Sequence, residues 1–181
     1  RLVRLIWIRS SLLSLVLATV CGLSACNFDK NYVNSDIEPV SEEQLRSLQK
    51  LIDEGQPLVA RTQLKALCEQ QPGSVEARRF LQDLRREDQE KAKFVQEYRD
   101  AVREHPDDAI AHYLLGRALI EEPEAAALEF EKAAALSPEN PWPSIGLAYL
   151  SRSRGDLFAT VSTYRTAVSL APRSARLRWF L

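Results

Sequence analysis

Residues 106–138 read PDDAIAHYLLGRALIEEPEAAALEFEKAAALSP. The stretch starts and stops on proline, and an acidic turn around Pro123 divides it into two apolar-rich halves. Phe130 stands eight residues and Ala133 five residues before Pro138. The same offsets recur elsewhere, with Tyr98 and Ala101 before Pro106, and Tyr164 and Ala167 before Pro172. Before Pro72 they fall on Leu64 and Leu67, a weaker copy. Pro72, Pro106, Pro138 and Pro172 are separated by 34, 32 and 34 residues. A fixed period of this length marks a chain built from stacked units. Each proline can end a helix, because it lacks an N–H and biases its predecessor out of the α region.

The first halves of the units agree as well. Leu115-Gly116 is matched by Leu147-Ala148, and Gly155-Asp156 follows at the turn of the last unit. The whole pattern resembles the tetratricopeptide repeat, a helix–turn–helix unit of about 34 residues. That resemblance implies an all-α solenoid of helical hairpins. Its small residues (here Gly116, Ala126, Ala133, Ala148 and Ala167) let paired helices approach closely, and its aromatic fills the gap to the next pair. Four units are counted: 41–74, 75–108, 109–140 and 141–174. The first has Gly55 at its turn. The second has no glycine turn, and residues 85–93 (RREDQEKAK) can run on as one helix with a solvated, ion-paired face. The third is two residues short. Ser41 with Gln44 makes a capping-box pattern, and Ser74, Asp108, Asn140 and Ser174 stand where helix caps are needed. Pro141 suits a first helical turn. Residues 175–181 (ARLRWFL) open a further or capping helix, and either the repeats continue past Leu181 or this stub folds back on the fourth unit.

Composition agrees with an all-α class. The chain has 181 residues, 45% hydrophobic and 27% charged, enough for one domain with a real core. Ala, Leu, Glu and Arg abound, all strong helix formers, while Val and Ile are scattered singly. The first 25 residues carry three arginines and no acid, so beyond them 21 basic side chains face 25 acidic ones. No strongly basic surface remains to attract nucleic acid.

Arg1, Arg4 and Arg9 precede an uncharged run whose apolar centre spans Leu12 to Leu23. That order is signal-peptide logic, and the run is shorter than the roughly 20 apolar residues of a spanning helix. Its end, Leu23-Ser24-Ala25-Cys26, resembles the lipobox of bacterial lipoproteins. The resemblance implies cleavage of residues 1–25 and lipid on Cys26, with small Ser24 and Ala25 beside the scissile bond. Several acyl chains anchor a protein stably. An uncleaved signal anchor is the alternative, and Cys21 is a poorer acylation site because bulky Val20 precedes it. In enterobacteria-like sorting Asn27 favours the outer membrane over inner-membrane retention, with the protein facing the periplasm. Residues 26–40 read as a flexible tether. With Cys26 consumed by lipid, Cys68 has no disulfide partner and is expected as a buried thiol. The chain starts with Arg and contains no Met, so the true start lies upstream or is misread.

No catalytic constellation is legible. His105 and His112 are the only histidines and lack neighbours at metal-ligand spacing. Phosphate-loop and dinucleotide motifs do not occur. Glu121, Glu122 and Glu124 read as a solvated helix end. Cofactors other than covalent lipid, metals and nucleic acid are therefore not expected.

In tetratricopeptide arrays the first helix of each pair lines a concave groove that holds the partner. Carried over, this implies inner positions at Glu76, Arg79, Asp83 and Arg86, then Ile110, Tyr113, Arg117 and Ile120, then Trp142, Ile145, Tyr149 and Arg152. Within each unit they recur at helical three- or four-residue steps. Arg79, Arg86, Tyr113, Arg117, Trp142, Tyr149 and Arg152 are the candidate contacts, since Tyr, Trp and Arg dominate protein interfaces. Trp142, between two prolines at a helix start, is expected to be the freest, although aromatics here can also pack between units. An extended or helical peptide with apolar anchors and acidic groups would suit the lining. The Lys/Asn clamp of chaperone-binding members is not found. The expectation is a lipid-anchored periplasmic scaffold that binds a protein or peptide during assembly of an envelope complex. The alternatives are the regulatory portion of a longer enzyme and a self-associating anchor.

Overall fold

The computed structural model describes residues 40–86 and 91–172. The signal-like stretch, the lipobox with Cys26, nearly all of the tether, Ser174 and the 175–181 stub lie outside the described residues.

Among the described residues eight helices follow one another: α1 Glu42–Asp53, α2 Pro57–Gln70, α3 Val75–Arg86, α4 Lys91–Glu104, α5 Ala109–Ala118, α6 Pro123–Leu136, α7 Pro141–Ser153 and α8 Leu157–Leu170. The described residues form no strand. Their starts are chemically specified. Ser41 and Gln44 exchange both capping-box bonds, at 3.2 and 3.0 Å. Ser74 accepts from the Ala77 N–H, Asp108 from Ile110 and Ala111, Asn140 from Trp142, and Asp156 from Ala159. Each cap satisfies donors that a helix start leaves orphaned. Pro57, Pro123 and Pro141 occupy first-turn positions. Gly55 and Gly155 close the α1–α2 and α7–α8 turns at φ +78°, a conformation that favours glycine.

The all-α hairpin architecture is thus present. α1 packs on α2, α5 on α6 and α7 on α8, while α2 on α3, α4 on α5 and α6 on α7 join one unit to the next. Residues 87–90, the middle of the 85–93 stretch read as one helix, lie outside the described residues. On either side of them Arg85 and Glu97 form an ion pair. Arg85, Arg86 and Lys91 find partners far along the chain, not one helical turn away: Glu97, the Arg117 carbonyl and Glu121.

Two cores result. One joins Leu48 to Ala60, Leu64, Leu67, Cys68 and Ala77. The thiol of Cys68 is therefore buried, Leu64 fills the place that an aromatic takes in later units, and Leu67 the place of an alanine. The larger core runs from Val75 through Phe94, Tyr113, Leu115 and Phe130 to Trp142 and Leu150. Phe130 is fully buried. It fits only because Gly116 of α5 and Gly146 of α7 have no side chain: a Cβ at either would come within 2.7 Å of its ring. Ala126, Ala133, Ala148 and Ala167 are likewise buried where helices meet.

His112 is structural. Its Nδ1 lies 2.5 Å from Glu129 Oε2 and its Nε2 2.9 Å from the Pro106 carbonyl, tying α5 to α6 and to the preceding turn. Among the described residues no three His, Cys, Asp or Glu side chains stand together as a metal site, and no helix is long and apolar enough to cross a membrane.

Candidate functional site

The first helices of units two to four, α3, α5 and α7, share one face, with α3 touching α5 and α5 touching α7. Seven of the positions named from the sequence, Glu76, Arg79, Asp83, Arg86, Tyr113, Arg117 and Trp142, are linked there by contacts between the helices, and helical spacing orders the face in four rows. Their register follows from bonds between the helices.

The first row contains Glu76, Ile110 and Trp142. The Trp142 indole N–H donates to Glu76 Oε1 at 2.9 Å, although 66 residues separate them. In the second row, Arg79 places its guanidinium carbon 4.0 Å from the centre of the Trp142 ring, a cation–π contact. Tyr113 lies beneath, 5.9 Å from Phe130 between ring centres. Burial pushes the Tyr113 hydroxyl above its ordinary pKa, against the positive charges of Arg79 and Arg117 and a hydrogen bond with the Arg79 side chain.

The third row holds Asp83, Arg117 and Tyr149. Arg117 is the hub: Nη2 donates to Asp83 Oδ1 at 2.7 Å, and Nη1 to Gln82 Oε1 at 2.8 Å and the Arg79 carbonyl at 3.3 Å. In the fourth row Arg86 donates to the Arg117 carbonyl at 3.0 Å, and helical spacing puts Ile120 and Arg152 at the matching positions of α5 and α7. The Trp142–Glu76 bond brings α3 and α7 together over α5, so the face curves inward.

The expectation that Trp142 is free is corrected. Only 6% of Trp142 and 3% of Tyr113 is exposed. Trp142 is buried because the curvature supplies an acceptor and a cation from unit two, which no reading of its own flanking prolines reveals. Arg79 and Arg117 are half-buried within the network, whereas Asp83, Arg86, Tyr149 and Arg152 are exposed. Tyr149, 48% exposed, is the open aromatic of the face.

Gln82 was not singled out from the sequence. It is fully buried. Its side chain donates to the Leu114 carbonyl at 2.7 Å while accepting from Arg117. It follows Arg79 by three residues, hence on the same stripe, which is the one available signal. Behind it, burial drives the Tyr98 hydroxyl up to about 12, a rise that Arg85 and Arg117 moderate. The acidic turn is solvated, with Glu121, Glu122 and Glu124 all exposed; Glu121 pairs with Lys91, whose hydrogen bond holds its carboxyl below the usual range, and Glu124 lies 3.6 Å from Arg154.

No protein-family model matches the chain, and no curated protein matches it either. Among solved structures, the Cut9–Hcn1 hetero-tetramer of the APC/C aligns at 21% identity with a TM-score of 0.54, over 71% of this chain and 25% of that one. MamA aligns at 21% identity and a TM-score of 0.48, over 74% and 79% of the two chains. A thermophilic tetratricopeptide repeat protein of Thermus thermophilus aligns at 20% identity and 0.49, over 76% and 94%. Together with the hairpin order, the likeness is one of fold, an all-α tetratricopeptide-type array.

Proposed function

We propose that this chain is a lipid-anchored scaffold of a bacterial envelope, binding a protein or peptide partner on the inner face of α3, α5 and α7. One observation carries the reading. Half of that face presents Asp83, Arg86, Tyr149 and Arg152 to solvent above a rigid network, and Tyr and Arg are favoured at protein interfaces. A hairpin array supports such a role because its stacked first helices form an extended, preorganised surface. Cys26 carries the lipid, Leu23-Ser24-Ala25 directs its processing, and the folded part faces the periplasm, with Asn27 favouring the outer membrane. The role is non-catalytic and uses no metal, nucleic acid or further cofactor. The partner is an extended or helical segment with apolar anchors and acidic groups. The setting is assembly of an envelope complex, of the pilus-secretin or outer-membrane assembly type.

The test is a photo-crosslinking residue in place of Tyr149 in the lipid-anchored protein, in cells, against the same probe at exposed Lys65. A discrete envelope protein captured from Tyr149 alone, and lost with Arg152→Glu, is the expected result. Equal capture from both positions, or from neither, overturns the reading. Palmitate labelling of the wild type and its loss in Cys26→Ala are expected; labelling that persists in Cys26→Ala, or none in the wild type, contradicts the anchor.

Self-association is a second reading, favoured by α8. Leu157, Phe158 and Val161 are exposed there, Phe158 by 87%. Light scattering on the wild type and on Phe158→Ser distinguishes it, since a dimer built on α8 falls to monomer.

A further inference from the structure

We infer that Trp142 and Glu76 form a clasp that sets the curvature of the array and keeps one half of its inner face shut. In a repeat array each unit touches only its neighbours, and curvature follows from those nearest-neighbour interfaces. The bond from Trp142 Nε1 to Glu76 Oε1 breaks that rule, because it joins unit four directly to unit two. Arg79 of unit two adds a second link by covering the same indole ring. A contact between units two apart fixes an angle that the intervening interfaces leave adjustable.

The donor and acceptor types suit a clasp. An indole N–H on a carboxylate is a charge-assisted bond, stronger than a neutral one. Glu76 stands in the first turn of α3, where the helix end favours a negative charge. Trp142 is held by the Asn140 cap at the start of α7. The anchor residues therefore sit on ordered helix starts, and neither has to be recruited from a loop.

The consequence is a divided face. Over the first two rows the clasp covers Tyr113, so a partner reaching that floor has to open it. Over the third and fourth rows Asp83, Arg86, Tyr149 and Arg152 remain accessible. The clasp concerns the free chain and stands whether or not the inner face binds a partner. Its failure is thus distinguishable from failure of the binding reading.

The experiment measures the distance between two spin labels on the full chain without any partner. Gly73 and Glu139 are exposed turn residues preceding α3 and α7, and a side chain at Gly73 meets open space. Both are replaced by p-acetylphenylalanine and labelled through the ketone, which leaves the cysteines untouched. The wild type is expected to give one narrow distance distribution. Trp142→Phe, which keeps an aromatic ring but removes the N–H, and Glu76→Ala are each expected to shift it to longer distances and broaden it. The double variant should do no more than either single one. Hydroxyl-radical oxidation of Tyr113, read by mass spectrometry, should rise in the same variants. Unchanged distributions in folded Glu76→Ala overturn the clasp. Glu76→Ala alters a partly exposed residue, so it decides the matter even if Trp142→Phe fails to fold.

Discussion

Phe130 rests its ring directly against Gly146, where a Cβ would stand 2.6 Å from the nearest ring carbon. Gly116 lies against the same ring, so one buried side chain keys α6 to helices on both sides. Neither neighbour can gain a methyl without moving an aromatic that has nowhere to go. Gly146→Ala and Gly116→Ala should each destabilise the fold by about 1–3 kcal/mol through overpacking, despite alanine's better helix propensity. Urea unfolding measures this, and a gain in stability would contradict the packing. Gly73→Ala, with open space around it, is the control.

Gln82 bonds to the Leu114 carbonyl, Arg117 and the Tyr98 hydroxyl from a fully buried position. Gln82→Leu keeps much of the volume but takes the acceptor from an Arg117 N–H and a hydrogen-bond partner from the Tyr98 hydroxyl. The expected loss is about 1–3 kcal/mol, the cost of leaving a buried polar group unsatisfied. The result is measured by thermal unfolding, and a neutral outcome would mean that water replaces the amide.

His112 and Glu129 form a buried pair between α5 and α6. Removing one partner leaves a buried polar atom of the other without its hydrogen bond, so Glu129→Ala should cost about 1–3 kcal/mol. Much of that penalty should vanish when His112 is replaced as well. A double-mutant cycle with His112→Phe tests the coupling, and simple additivity would show that the two groups act independently.

Tyr98 supplies a pH dependence. Its hydroxyl is raised to about 12 by burial, above the ordinary value of 10.0. Because the folded state keeps the proton where the unfolded state releases it, the associated stability is complete below pH 10. It is lost as pH rises towards 12, amounting to about 2–3 kcal/mol when fully lost. Wild type and Tyr98→Phe should therefore diverge in stability across that interval, with the variant showing the flatter curve. Parallel curves would place the ionisation elsewhere.

Much of the architecture was legible from particular residues. The aromatic, Ala and Pro offsets around Phe130, Ala133 and Pro138 identified the hairpin unit, because they record contacts made within one unit or with the next. The caps Ser41, Ser74, Asp108 and Asn140 were legible because they act over two or three residues. Which stripe faces inward came from the likeness to tetratricopeptide arrays; helical spacing then puts Tyr113 with Arg117 and Tyr149 with Arg152.

What tertiary structure decided lies at longer range. Trp142 reads locally as an exposed residue at a helix start, and only the inward curve of α3, α5 and α7 buries it on Glu76. Gln82 looks like one polar residue among several, and only its place beneath Arg117 makes it a buried junction. Gly146 looks incidental until Phe130 arrives from the preceding unit. The amino-acid sequence by itself determined the unit, its period and its helix starts, all properties of neighbouring residues. The angle between successive units, and so which side chains the inner face shows or hides, arises from packing between residues 30 to 66 positions apart. No local pattern encodes those encounters.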